Sequence, residues 1–417
     1  MNDASTLVAF LLLMLAPLAI AGLAFLNTGL GRARSAAQAL TGSLALLALA
    51  SILFVAFGAA LATGSGHSLS IAGHSWNLIG SGAFFINGLS AQPLQSQLEL
   101  LFELFSVALC VLIPWGSGAD RLRLPAGATI AALYALILFP LAAHWSYGWL
   151  AALDHTFGLA SGFVDPGAAA PIHVLGGFGA LAVVWIAGPR HGKFPQEGLS
   201  TAMPGHNVVY VLFGCLLSLI GWTAFNTAGA LLWLHAPLTQ LPLTAINTLL
   251  TAAAALATTF TVTRIRFGKP DASLSANGWM AGLVASSASA ALVAPAAAIL
   301  IGIVAGLLTP LLVELFELAL SIDDPSGAIA VHMVSGLWGL LASGLFSGRP
   351  GQLLAQLTGL AVLLGFFLPL VYFLLLAINR LVPFRADYDS ERMGMDLSEL
   401  GGNAYPEFVM HRDDSYR

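Results

Sequence analysis

Two short stretches hold the residues best placed to do chemistry. One is Asp165-Pro166-Gly167-Ala168-Ala169-Ala170-Pro171-Ile172-His173; the other is Asp324-Pro325-Ser326-Gly327-Ala328-Ile329-Ala330-Val331-His332. Each reads Asp-Pro, small residues, a β-branched residue and His, and in each the His follows the Asp by eight positions. At about 1.5 Å of helical rise per residue, each His sits ~12 Å beyond its Asp. A bilayer core is about 30 Å thick, so a His at that depth is near the midplane. If the two helices enter from opposite leaflets, the imidazoles meet in the membrane centre. An unperturbed imidazole titrates near pH 6.5, and its two nitrogens can donate and accept. Two facing rings can share one N–H···N bond and leave each outer nitrogen free, and burial favours the neutral pair. A bare cation is costly in lipid, so a path for one must replace its hydrogen bonds or remove its charge.

Blander roles compete. A buried His can simply bond a backbone carbonyl, but an ionisable group inside a membrane helix is a functional candidate by default, and this one is duplicated. No Cys or carboxylate stands at ligand spacing beside either His, so no metal and no other cofactor is expected. Asp165 and Asp324 read as structural residues: Asp-Pro before an apolar run is a helix start, with Asp capping free N–H groups and Pro at the first helical position.

The elements that position these residues follow from composition. Of 417 residues 58% are hydrophobic and only 8% charged, against about 25% charged in a soluble domain. The chain is an all-α polytopic membrane protein embedded in a lipid bilayer. Its net charge of −5 gives no reason to expect a nucleic-acid partner. Cys110 and Cys215 lie in apolar runs and form no disulfide framework. The first apolar run is longer than a signal-peptide core and lacks a basic flank, so it is read as a spanning helix.

Eleven apolar segments are expected, at about Thr6–Phe25, Ala37–Ala62, Leu98–Trp115, Pro125–Tyr147, Pro171–Ala187, Val208–Leu234, Leu241–Val262, Trp279–Val293, Ala297–Ile322, Ala328–Phe346 and Leu353–Leu376. Pro114, Pro140, Pro310 and Pro369 fall within or at the ends of these segments, where neighbouring helices can tolerate them. Residues 1–382 form the membrane domain, with helices one to five at about 6–187, six to ten at about 208–346 and eleven at about 353–376; residues 383–417 form a cytoplasmic tail.

With the N-terminus outside, fourteen of the fifteen Lys and Arg residues fall on the inner side and only Arg349 falls outside. That bias sets the orientation as N-out, C-in. Helix five then enters from outside and helix ten from inside. Helices one to five and six to ten form an inverted repeat, with helix eleven left over, and such repeats place the transported species at mid-membrane.

At this point the chain resembles the ammonium transporter family (Amt/Mep/Rh) as a divergent bacterial-type member. The resemblance rests on the two His motifs, on His206-Asn207 and Gly221-Trp222-Thr223-Ala224-Phe225-Asn226, and on Ala119-Asp120-Arg121. It continues in the tail, at Glu391-Arg392-Met393-Gly394-Met395-Asp396-Leu397 and Asn403-Ala404-Tyr405. It implies a homotrimer in the inner (plasma) membrane with one pore per subunit. It also implies passage of ammonium, and possibly methylammonium, by cation recruitment, deprotonation and movement of ammonia with or without the proton. His173 and His332 would line the pore, Phe225 would gate it, Trp222 would form its wall, and Asp165 would order the conducting helix. A PII-type signal protein is an expected partner at the inner face, although Leu400 and Gly402 depart from the usual tail residues.

The outer site departs from the family pattern. Counting back from Arg121, the position of its Phe falls on Ser106, beside Phe105; that of its Trp falls on Tyr147, and that of its Ser on Gly229. Tyr still offers a cation–π face, weaker than that of Trp. Glu103 lies about one turn outside Ser106 and can attract a cation at this altered mouth; its bland alternative is an interfacial or subunit-contact carboxylate. Glu314 and Glu317 are expected to cap or contact neighbours.

Enzymatic activity is not expected. The competing readings are an ammonium sensor on the transporter fold and a membrane enzyme using the His pair with a metal. The altered outer site speaks for the sensor; against it stands the tail, which is short, resembles that of ordinary transporters and is expected to carry no output domain.

Overall fold

The computed structural model describes residues 2–406 apart from 65, 67, 72, 198 and 199. Arg412 and Arg417, counted in the charge bias, lie outside the described residues. The long helices are α1 (Asp3–Leu30), α2 (Ala33–Ala62), α3 (Leu94–Ser117), α4 (Leu124–Tyr147), α5 (Ala169–Ala187), α6 (Val208–Leu234), α7 (Leu238–Phe267), α8 (Ala272–Ser289), α9 (Pro295–Ala319), α10 (Ile329–Phe346) and α11 (Gln352–Leu381).

Among the described residues, 10 helices are long and apolar enough to cross a membrane, and α8 is not one of them. The expected eighth segment is therefore corrected. Its helix begins earlier, at Ala272, and ends earlier, at Ser289. It carries Ser275, Asn277, Ser286, Ser287 and Ser289, all buried among neighbouring helices. A helix enclosed by protein needs no apolar outer face, so composition alone undercounts it. The all-α expectation also misses a small antiparallel hairpin, β1 (Ser68–Ile71) and β2 (His74–Asn77), between α2 and α3.

Prolines lie inside the spans without ending them. Wide, π-type turns at Tyr134–Leu138 and Leu363–Phe367 precede Pro140 and Pro369. Proline lacks the N–H that would close an ordinary turn, and the opened turn accommodates that loss.

Packing pairs the two halves. α6 lies along α1, where Gly22 faces the Ser218 backbone and Gly214 faces Leu26. Small residues allow that approach. Contacts between α3 and α5 recur between α8 and α10, and contacts between α2 and α4 recur between α7 and α9.

The ends of these helices define two opposite faces. α2 and α4 begin, and α3 and α5 end, on the face where residues 383–405 dock; this is the tail face. α10 also starts there, because Asp323 just before it bonds Arg190 just after α5. α5 and α10 thus enter the bundle from opposite faces. Tyr147, at the far end of α4, and Glu99, near the start of α3, belong to the other, vestibule face.

Candidate functional site

Each histidine of the two motifs sits in a widened helical turn, His173 in Ala169–Val174 and His332 in Ile329–Val334. Asp165 accepts hydrogen bonds from the Ala169 and Ala170 N–H groups, both at 2.7 Å. Asp324 accepts one from Ile329 N–H at 2.8 Å and one from the Ser326 hydroxyl at 3.2 Å. The carboxylates therefore cap the helix starts, satisfying donors that a buried helix end would otherwise strand. The proline half of the expectation is corrected: Pro166 and Pro325 lie in the turn before each helix, not at its first position. At Ala168 the backbone is left-handed, φ 57°, which sets the reversal before α5.

The capped helices bring the two imidazoles together. His173 Nδ1 and His332 Nδ1 are 3.3 Å apart, the ring centroids are 5.3 Å apart, and the side chains are almost fully buried. One proton shared between the two Nδ1 atoms fixes the tautomers of a neutral pair. The ring that donates at Nδ1 has a free lone pair on Nε2, and the ring that accepts carries its proton on Nε2. The pair therefore offers an acceptor at one end and a donor at the other. Exchanging the two roles takes three proton movements: one proton arrives at the free Nε2, the shared proton crosses between the Nδ1 atoms, and the proton on the other Nε2 leaves.

His173 is held further by Trp222, stacked on it at 5.1 Å and 12°. Ser287 Oγ lies 3.4 Å from His173 Nε2 and accepts the Trp222 Nε1–H at 3.1 Å. Trp222 is thus placed against the histidine pair. Among the described residues, neither ring bonds a backbone carbonyl.

Toward the vestibule, Phe225 stacks on Phe102 at a centroid distance of 4.0 Å and 23°. Sequence counting missed Phe102. It assigned the position to Ser106, one turn along α3, whose hydroxyl is tied to the Phe102 carbonyl at 2.8 Å. Counting along α3 fixes which residues share a face, but only the facing α6 selects Phe102 among Phe102, Phe105 and Ser106. Gly229 has a steric reason: a Cβ there would collide with the Pro166 carbonyl and meet the Phe102 ring at 3.2 Å. No side chain fits at that point.

Above this ring pair opens a cavity of about 480 Å³, lined by Glu99, Glu103, Tyr147, Trp233, His144 and Asn77 among others. Tyr147 and Glu103 line this cavity, whereas Ser106 and Gly229 are not among its lining residues. Trp233, which sequence reading missed, stacks on Tyr147 at 3.8 Å and 6°. The hairpin reaches this cavity through Asn77 and is anchored beside it: Trp76 of β2 packs on Trp149 at 4.9 Å, and Trp145 Nε1–H donates to the carbonyl of Leu78, the residue after β2, at 2.8 Å.

The tail face carries the charge. Arg190 spans Asp323 and Asp120, with Nη2 2.8 Å from Asp323 Oδ1 and Nη1 2.9 Å from Asp120 Oδ2. Arg121, fully buried, donates to the carbonyls of Asp323 at 2.6 Å and Gly188 at 2.8 Å. Burial pushes the Asp323 carboxyl up, but Arg190 and Arg121 outweigh it and hold the group at about 2. Glu317 pairs with Lys193 at 2.7 Å and Glu314 with Arg266 at 2.6 Å, the neighbour contacts expected of them.

The tail docks through its own carboxylates. Asp396 accepts from Gln38 N–H at 2.7 Å and Ala37 N–H at 3.1 Å, Glu399 accepts from Leu124 N–H at 2.7 Å, and Glu391 accepts from His191 N–H at 2.7 Å. Anions at helix N-termini are favourable. His206, from the sequence signature, bonds Gly31 O at 3.0 Å and Tyr405 Oη at 3.1 Å, fastening the tail's last described turn.

Known proteins share this architecture. A structure of a "Sensor Amt Protein" superposes with a TM-score of 0.86 at 27% identity, covering 95% of this chain and 98% of that one. Candida albicans Mep2 superposes at 0.80 with 23% identity over 98% of this chain and 91% of that one, a likeness of fold. Ammonium transporter Amt2 of Archaeoglobus fulgidus is 32% identical over 93% of this chain and 85% of its own length. The Bacillus subtilis ammonium transporter is 28% identical over 98% and 100%. The sequence pattern of the Ammonium Transporter Family matches residues 5–405, and the chain belongs to that family.

Proposed function

We propose that the chain transports ammonium through a pore whose centre is the His173–His332 pair. The observation that carries this reading is the 3.3 Å contact between two buried imidazoles delivered by oppositely directed helices. Ammonium enters the vestibule, where Tyr147 and Glu103 face it, and passes the Phe102–Phe225 pair. Trp222 lines the wall beside His173. An imidazole nitrogen with a free lone pair takes one proton from ammonium, leaving ammonia. Ammonia crosses the dry section, and the shared-proton bond gives the released proton a route alongside it.

The same reading sets the chain in the membrane with eleven crossings, α8 included, in an inverted five-plus-five repeat with α11 added. The alternation of helix ends between the two faces supports that count. The basic loops on the tail face support an N-out, C-in orientation in the plasma membrane. The family supports a homotrimer, and the docked tail, with its capping carboxylates, offers a surface for a PII-type signal protein.

The likeness to a sensor Amt structure favours one second reading, a sensor on the transporter fold. Ammonium-evoked current from the purified protein in liposomes separates the two. A saturable current absent from empty liposomes supports transport; ammonium binding without current supports the sensor.

A further inference from the structure

The vestibule is built for more than a water-sized ion. Its volume is about 480 Å³, whereas a single water-sized occupant needs only about 10–15 Å³ by this measure. Its polar lining is incomplete in a consistent way. Glu103 is 5% exposed, and its Oε2 has no hydrogen-bond partner among the described residues; nor do the Tyr147 hydroxyl and the Trp233 indole N–H. Buried polar groups without partners call for water or a ligand.

Charge points to the kind of ligand. Glu99 and Glu103 stand four apart on α3 and both line the cavity, an arrangement in which like charges repel. Glu99 is held at one oxygen by Gln95 at 2.8 Å. Among the described lining residues there is no Lys or Arg to neutralise either carboxylate. His144, also in the lining, has both ring nitrogens engaged, with Ala62 O at 2.8 Å and Asn77 Oδ1 at 3.1 Å. The parallel Tyr147–Trp233 stack supplies a flat apolar and π surface beside the carboxylates.

We propose that Glu103 is the carboxylate ligand of a vestibule site for primary alkylammonium ions, with the alkyl group lying against Tyr147 and Trp233. The proposal rests on the reading that the permeant enters here. Glu103 Oε2 accepts an N–H of the ammonium head, and Glu99 attracts the cation one turn further out. The stacked rings of Phe102 and Phe225 then bar primary amines as large as ethylammonium, which occupy the site without crossing. Recognition by a carboxylate also requires N–H donors, which a quaternary ammonium lacks.

Ethylammonium and tetramethylammonium chloride serve as probes. Binding to the purified full-length protein is measured by calorimetry, and ammonium-evoked current is recorded in liposomes. Ethylammonium is expected to bind, to compete with ammonium current and to evoke none itself. Glu103→Gln should weaken ethylammonium binding by about tenfold or more, the loss expected of a charge-assisted hydrogen bond, and tetramethylammonium should bind the wild type more weakly by a similar factor. Ethylammonium binding within twofold of wild type in Glu103→Gln would overturn the proposal, as would equal binding of the two probes or a lack of competition. The wild-type arms decide the matter even if the variant fails to fold. Intact ammonium current without competition removes this site and leaves transport standing. Glu103-dependent binding without any ammonium current upholds the site and removes the transport reading.

Discussion

On the tail face the buried carboxylates Asp120, Asp323, Glu391 and Asp396 all have hydrogen-bonding partners, a guanidinium or a backbone N–H. On the vestibule face Glu103 Oε2 has none among the described residues and borders open space. The helices between the two faces are shared, so the difference does not come from fold or composition. It lies in whether a charge is satisfied inside the protein or left for something that arrives. Satisfied charges fix the docked tail to the bundle. An unsatisfied charge beside a cavity marks where a cation can be received.

The charge cluster of the tail face depends most on Arg190. Replacing it with Ala strands Asp323 and Asp120, and removing one partner of a buried ion pair costs about 3–5 kcal/mol. Thermal unfolding in detergent should show a large loss of stability; a wild-type melting profile would mean that the cluster is not a structural clamp. Acid tests the same cluster. Asp323 is held at about 2, below the ordinary carboxylate value of about 3.9. Its folded-state value is depressed, so its stabilising contribution is present above the unfolded value and is lost as pH falls through about 2. Melting curves taken from pH 5 downward should therefore fall, and Arg190→Ala should flatten that part of the decline.

Asp396→Ala should act more mildly. It removes the cap on the α2 start, a change worth about 0.5–2 kcal/mol. Tail release should be read as faster proteolysis near Gly394, with the membrane domain left intact. Protection equal to wild type would show that Glu391 and Glu399 hold the tail without it.

The smallest expected effect is at Glu103. Because its Oε2 has no hydrogen-bond partner among the described residues, Glu103→Leu should leave stability within about 1 kcal/mol of wild type or raise it. A large loss would make Glu103 a structural residue after all and would erase the contrast between the faces.

Much of this was legible in the chain. The duplicated Asp-to-His spacing gave the histidine pair, because depth in a membrane helix follows directly from residue count. The capping roles of Asp165 and Asp324 also followed from local sequence. Features that depend on a facing helix did not. Phe102 is selected only by Phe225 across the bundle, and Trp233 only by its stack on Tyr147. Gly229 looked like a lost serine until the Pro166 carbonyl was seen to occupy the space of a side chain. The start of α8 was hidden because its Ser and Asn residues face protein rather than lipid.

The proposed conducting centre is two imidazoles that share a proton. Ammonium-evoked current in liposomes holding equal amounts of wild type, His173→Ala and His332→Ala tests it most directly. Loss of positioned proton transfer should lower the current by about 100-fold in each variant while the protein stays folded. Two folded variants that carry wild-type current with wild-type selectivity would contradict it.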